Sequence, residues 1–532
     1  MFAERGMVAA AHPLTVETGL EILRQGGNAI DAAVGAGLTA AVVMPEMCGL
    51  GGDLFAVVHR PGETGPGEIV SIQGSGIASK STSLEQMRAA KEGPFPGRGP
   101  TSIAVPGMID AFFVLLERFG SKRFAEVVEQ AIAYADGFPI HPLGAQCILD
   151  HEELLAQFPA SHAVFFPGGR APRAGEIFRQ PGLAQTLRTL AAEGRDAFYT
   201  GSVGQAMATA LAELGGGITV DDLATQHADV TDPIRTTYRD YTVYQTCLPS
   251  QGMILLEALN IVEQATLAGL PLDGPEAIHL LVEAKKRAFA DRIGYAIDPA
   301  VGETPVAEIL SKAWAKRRFA EIDPQRASVN VPAGEYVHGD TTYLCVVDGD
   351  GMMVSLIESV AANFGSGVVA GETGVVLNNR ASAFSLEDGH PNIYAPGKKT
   401  IHTLNCFLIA DPSGQPVVVG GTPGGDGQPQ WNLQTIVGLI DAGYDVQQVA
   451  EQPRWVNWPG QAARFGDVDF DLQVETRVDD ETLSGLEARG HRVTRLDAWG
   501  AGGAVQVIAR DPKTGVLAGG SDPRVEGLAA GY

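Results

Sequence analysis

The residues with the plainest chemical potential lie in the stretch G-D-T-T-Y-L-C-V-V-D, residues 339–348. A loop-like run, residues 332–339, leads into Thr341 and Thr342 and then into a mostly apolar, β-prone segment that ends at D-G-D-G. Together with residues 352–359 this reads as a β-hairpin. Two β-branched residues at a strand start also need no chemical reason. A threonine exposed by a cut immediately before it is different, because it carries a hydroxyl nucleophile and a free α-amine that can act as its own base. Such an amine has a pKa of roughly 7.7–8.0, so it accepts a proton usefully near neutral pH. Amide cleavage also needs an oxyanion hole. The run G-G-T-P-G-G-D-G, residues 420–427, lies between a strand at 417–419 and a helix following Pro429. Its glycines can turn backbone N–H groups into a cavity. A plain strand-to-helix turn would use the same residues, whereas a phosphate loop would need a following G-K-[ST].

These segments, with F-G-S-G-V-V-A-G-E-T-G-V-V-L-N-N-R at 364–380 and V-V-V-G-G-T-P-G-G at 417–425, resemble in order and spacing the γ-glutamyltranspeptidase family of N-terminal-nucleophile hydrolases. The resemblance extends over the chain: G-M-V-A-A-A-H-P-L near the start, G-G-N-A-I-D-A-A-V at 26–34, G-L-G-G-D at 49–53 and G-G-S-D-P-R at 519–524. It implies an α/β four-layer αββα sandwich with a helical lobe at about 107–320. It further implies that Thr341 attacks the Asp340 carbonyl, that water releases the ester, and that subunits 1–340 and 341–532 result. The expected partners are then a small-molecule amide and the chain's own two fragments, as a heterodimer or a dimer of heterodimers. Gly424 and Gly425 match the family's oxyanion pair. Ser359 stands where the family keeps a threonine beside the nucleophile, and would orient the Thr341 hydroxyl or amine; the strand pattern alone suits an exposed serine equally well.

The amino-acid grip departs from the family pattern. Ser75, within G-S-G, occupies the place of an arginine, and Ala361 the place of an asparagine. After Asn379, Arg380 and Ala383 replace a glutamine and an aspartate, and His402 and Thr403 replace a serine pair. Losing the aspartate removes an ammonium partner, and Arg380 adds a carboxylate partner. The G-S-G, N-N-R and H-T-L-N runs resemble the oxamate amidohydrolase branch, though that branch leads one to expect an arginine where Ile77 stands. A small acid amide without an α-amine is therefore the expected substrate, with Arg380, His402, Thr403, Ser75 and Asn379 around it. A true γ-glutamyl hydrolase or transpeptidase is the alternative, and an uncleaved anion-binding protein the alternative from another class. Arg380 would also suit a surface ion pair, His402 a core position, and His390 a loop-structuring role.

The 532 residues carry a net charge of −25, which argues against nucleic acid or an anionic membrane as partner. Five cysteines, none spaced as C-x-x-C, argue against a disulfide framework or zinc site, Cys345 and Cys406 in apolar runs fit buried free thiols, and the scattered histidines suggest no metal; no cofactor is expected. The apolar run at 32–44 is short for a bilayer, and residues 1–6 do not read as a secretory signal, so a cytoplasmic location is expected. Asn28 is expected to cap a helix over 29–43. Residues 137–237 read as mainly helical, and 238–246 as a strand. An amphipathic helix at 277–295 is expected to carry Lys285, Lys286 and Arg287 on a solvated face.

Overall fold

The computed structural model describes the chain except residues 64, 66, 93–96, 330, 332–339 and 459–469; the side chain of Asp340 is also outside the description. The loop expected at 332–339 therefore lies outside the described residues.

The hairpin forms as anticipated, from strands Asp340–Asp348 and Met353–Ala361. Asp348 closes it by accepting the Asp350 and Met352 N–H groups at 3.1 and 3.0 Å. This pair is the middle of a seven-stranded antiparallel sheet among the described residues, in the order Leu528–Gly531, Gly6–Ala10, Asp340–Asp348, Met353–Ala361, Asp53–Arg60, Glu68–Gly74, Asp229–Thr231. A second seven-stranded sheet runs Phe2–Ala3, Leu517–Ser521, Gln506–Arg510, Pro416–Gly421, Cys406–Ala410, Tyr241–Gln245, Ile234–Tyr238. The sheets pack face to face through alternate residues, with Tyr343, Cys345 and Val347 pointing inward to Leu408 and Val419. Leu344 and Val346 point the other way, into a layer containing helices Pro13–Arg24, Ala29–Val43 and Met108–Phe119. Helices Gly252–Val262, Gln428–Ile440 and Val446–Glu451 cover the second sheet. The result is an αββα sandwich.

Helix Ala29–Val43 is buried on every side. The Asn28 side chain accepts from Ile30 and Asp31 N–H, and Asp31 answers by accepting from the Asn28 N–H at 2.8 Å, a complete capping box. Three of the five cysteines, Cys48, Cys345 and Cys406, are buried, and all five are free thiols. No helix of the described residues is long and apolar enough to cross a membrane.

Two expectations fail locally. Residues 137–237 are not helical to the end: Asp229–Thr231 and Ile234–Tyr238 are strands, each at the edge of one large sheet. The β-branched and aromatic run I-R-T-T-Y, whose Thr236 and Tyr238 are buried while Arg235 and Thr237 are exposed, suits an edge strand. The Lys285–Arg287 run is also not solvated. These side chains are only 1–3% exposed. Lys286 and Arg287 share Glu283 at 2.8 and 2.9 Å, and Lys285 donates to the Asn457 carbonyl at 2.8 Å. The i,i+3 and i,i+4 spacing supplies the counter-ion, which is what permits burial.

Candidate active site

Thr341 opens its strand at an irregularity. Asp340 pairs with Ala361 and Thr342 with Glu358, so two residues, Ser359 and Val360, oppose Thr341. Such a bulge re-aims the side chain beside it. Thr341 is 1% exposed and faces the second sheet, where Gln428 Nε2 donates to its Oγ1 at 3.4 Å. Ser359 is on the adjacent strand and the same face, and its Oγ accepts the Ala361 N–H at 2.8 Å. That bond holds Ala361 at φ +84°, a left-handed conformation unusual for alanine.

The glycine run follows strand Pro416–Gly421 and enters helix Gln428–Ile440. Gly424 has φ +120° and Gly425 φ +53°. A Cβ on Gly424 would also lie 2.2 Å from Trp431 Cζ3, so both conformation and space require glycine there. Among the described residues neither glycine's N–H has a hydrogen-bond acceptor, so both remain available as oxyanion donors. The loop is braced from behind. Gln251, in the P-S-Q-G run, donates to the carbonyls of Thr403 and Gly425 at 2.7 and 2.9 Å, and Arg292 donates to Asp426 at 3.0 Å.

Arg380, His402 and Thr403 converge with a residue that sequence reasoning left unassigned, Asp53. Asp53 pairs in register with Ser359, and so lies two strands from Thr341. Its Oδ2 accepts from Arg380 Nε and His402 Nε2, each at 3.0 Å. The Leu404 N–H donates to His402 Nδ1 at 3.2 Å, which assigns the imidazole proton to Nε2. Burial, reinforced by the Arg380 charge, lowers the His402 pKa to about 4, so the ring is neutral at pH 7. Arg380 Nη1 reaches Thr403 Oγ1 at 3.4 Å. Ser75 follows Gly74, the last residue of the neighbouring strand, whose partner is Leu54, and so lies just past that strand's end near Asp53. Three buried polar atoms in this cluster have no hydrogen-bond partner among the described residues: Asp53 Oδ1, Arg380 Nη2 and Ser75 Oγ.

Asn379 is placed differently. Its amide accepts the Ala362 N–H at 2.9 Å and donates to the Gly97 carbonyl at 3.0 Å, which ties loops together. His390 accepts the Asn392 N–H at 2.9 Å within its own loop. Gly49, Gly51 and Gly52 in G-L-G-G-D gave a signal for Asp53, since they bring its strand close to Ser359 and Leu377. The Gln-Pro-Gln run after the glycine loop was the corresponding signal for Gln428.

Folding gathers two groups of potential metal ligands: His12, His141 and Glu526, and His279, Glu283 and His491. In the first, His12 Nδ1 accepts a helix-capping N–H at 3.2 Å, while His141 Nδ1 lies 3.0 Å from a Glu526 carboxylate oxygen. In the second, Glu283 is committed to Lys286 and Arg287, and the imidazoles bond each other at 2.8 Å. The second donor set is thus already neutralised by its own cations.

A γ-glutamyltranspeptidase family model matches residues 15–532. The chain is 37% identical to a glutathione hydrolase-like YwrD proenzyme of Bacillus subtilis, over 99% of this chain and 98% of that one. It is 36% identical to the oxamate amidohydrolase proenzyme of Klebsiella pneumoniae, over 99% and 98%. Its structure superposes on a cephalosporin acylase from Bacillus halodurans with a TM-score of 0.91 at 35% identity, covering 100% of this chain and 96% of that one. The fold and these likenesses define an N-terminal-nucleophile hydrolase, an autoprocessing amidohydrolase or acyltransferase. The chain belongs to the γ-glutamyltranspeptidase family.

Proposed function

We propose that the chain matures by cleavage between Asp340 and Thr341 into subunits 1–340 and 341–532, and that Thr341 then hydrolyses an amide whose acyl end is an α-amino acid, as in a γ-glutamyl amide. In the uncut chain the Thr341 hydroxyl attacks the Asp340 carbonyl, the C–N bond breaks, and water releases the ester. In the mature enzyme the α-amine takes the hydroxyl proton, Oγ1 attacks the substrate amide, and the N–H groups of Gly424 and Gly425 receive the oxyanion. The proton then passes to the leaving amine as the C–N bond breaks, and water hydrolyses the resulting Thr341 ester to free the acid and restore the hydroxyl. Each such donor is worth about 2.7–4 kcal/mol of barrier.

The observation that carries the substrate class is the trio Asp53 Oδ1, Arg380 Nη2 and Ser75 Oγ, buried and without partners. An acceptor beside two donors complements an ammonium beside a carboxylate. Asp53 and Arg380 are one anion and one cation, and His402 is neutral, so a zwitterion leaves the buried site balanced. An acid without an amine would leave a net negative charge there, a costly arrangement in low dielectric. Asp53 thus supplies the carboxylate missing at Ala383. Distance agrees. Two strands at about 4.8 Å each separate the Thr341 and Asp53 backbones by roughly 10 Å. In an extended five-carbon acyl unit the α-nitrogen is about 5 Å from the reacting carbonyl, which leaves room for the two protein side chains. A two-carbon acid is shorter by about 3 Å. The glutathione hydrolase-like relative supports the same reading.

Oxamate is the second reading, favoured by the similarity to the oxamate amidohydrolase and by Ala361 and Ala383, where the family's usual polar partners are absent. Intact mass of wild type and Thr341→Ala, followed by hydrolysis of glutathione, γ-glutamyl-p-nitroanilide and oxamate, separates the readings. A cut wild type that prefers the γ-glutamyl compounds supports the first; preference for oxamate supports the second. An uncut wild type that binds these acids without turnover would replace both with a binding function.

A further inference from the structure

The run G-G-D-G-Q-P-Q contains a buried side chain that the oxyanion pair leaves unused. Gln428 is the first residue of helix Gln428–Ile440 and is 0% exposed. Its Nε2 donates to Thr341 Oγ1 at 3.4 Å. The orientation of the amide is fixed from the other end. Oε1 accepts the Asn405 main-chain N–H at 3.2 Å and Asn405 Nδ2 at 3.1 Å. Asn405 is fixed in turn, because its Nδ2 also donates to the Thr403 carbonyl at 3.1 Å and its Oδ1 accepts from Asn432 Nδ2 at 3.1 Å. Reversing Gln428 would place its NH2 against two donors. The chain Asn432 to Asn405 to Gln428 therefore runs in one direction and ends with an N–H on the nucleophilic oxygen.

We infer that Gln428 is a catalytic residue that stabilises negative charge on Thr341 Oγ1, both in self-cleavage and in turnover. The inference rests on Thr341 being the nucleophile. When a base removes the hydroxyl proton, charge gathers on Oγ1 before the new C–O bond forms. When water hydrolyses the acyl-enzyme, the C–Oγ1 bond breaks and its electron pair returns to Oγ1 until a proton is delivered. Gln428 donates a hydrogen bond at both moments and surrenders no proton. The bond is long in the resting structure and shortens as the oxygen becomes anionic. This role is distinct from that of Gly424 and Gly425, whose N–H groups face the carbonyl oxygen of the group under attack.

The test uses the full chain and two variants. Gln428→Glu keeps both bonds from Asn405 but turns an acceptor toward Thr341, while Gln428→Met fills similar volume with no donor. Self-cleavage is followed by intact mass over time and needs no external substrate. Both variants are expected to process at least tenfold more slowly than wild type. The processed fraction should show kcat on γ-glutamyl-p-nitroanilide, or on oxamate if that is the working substrate, reduced at least tenfold, with KM within threefold. Processing and kcat within twofold of wild type in either variant that retains the wild-type melting temperature would overturn the inference, as would a loss confined to KM. If one variant fails to fold, the other decides, and if both fail, Asn432→Leu, two bonds removed, is read by the same criteria. Wild type that is uncut, like Thr341→Ala, would instead remove the nucleophile assignment on which the inference stands.

Discussion

Asp53 and Arg380 are 327 positions apart in the chain, yet one carboxylate oxygen of Asp53 holds both Arg380 and His402. Removing the carboxylate by Asp53→Ala leaves a buried guanidinium unpaired, a change that typically costs about 3–5 kcal/mol. Asp53→Asn is milder, since its carbonyl still accepts a hydrogen bond. It is expected to raise KM for γ-glutamyl-p-nitroanilide at least tenfold with a smaller effect on kcat, measured by initial rates. An unchanged KM would mean that Asp53 does not meet the substrate amine. Ala361 supports a different prediction. At φ +84° its methyl group is strained, so Ala361→Gly is expected to stabilise the fold by about 0.5–1 kcal/mol, read from urea denaturation. Thr341 and the glycine pair stand out in the sequence as candidates because the chemistry proposed for them resides in consecutive residues. Asp53 and Gln428 were not, because an aspartate ending a glycine run and a glutamine opening a helix acquire meaning only from the groups that folding brings to them.

At the scale of elements, the hairpin and helix Ala29–Val43 were legible because alternation, capping and turn residues are local. The helix containing Lys285 was legible as a helix but not as a buried one. Its Glu283 partner was in view, but the surrounding elements that exclude water were not. The same helix–sheet packing makes a pH prediction. Glu358 pairs across the hairpin with Thr342 and is fully buried on the face toward helix Ala29–Val43. Burial drives its pKa well above the ordinary value, with the Cys48 thiol as its polar neighbour. The folded state therefore retains a proton that the unfolded chain releases near pH 4.5. The stability this contributes is complete below that pH and declines as pH rises toward the folded pKa, at about 1.4 kcal/mol per unit for one group. Glu358→Gln should flatten this part of the stability–pH curve and match or exceed wild type at pH 7, checked by urea denaturation at several pH values. Gly424→Ala should impair both processing and turnover, because its methyl would meet Trp431; normal processing by mass would argue against an oxyanion role for this loop.

Across the whole molecule, both sheets interleave strands from either side of Thr341. In the sheet that carries Thr341, Gly6–Ala10 lies between Leu528–Gly531 and Asp340–Asp348, and Met353–Ala361 lies against Asp53–Arg60. The fragments proposed from the cut should consequently co-elute on gel filtration in high salt and part only in denaturant. Separation of the two under native conditions would contradict this arrangement. Interleaving also changes the order of the folding reaction. Before the cut, the chain folds as a single species, at a rate independent of concentration. After it, the same strands belong to two molecules that must meet and thread together, so recovery from denaturant becomes second order. Processing would then act as a one-way step in the life of the protein: the mature form persists through slow unfolding, and its ability to reassemble falls with dilution.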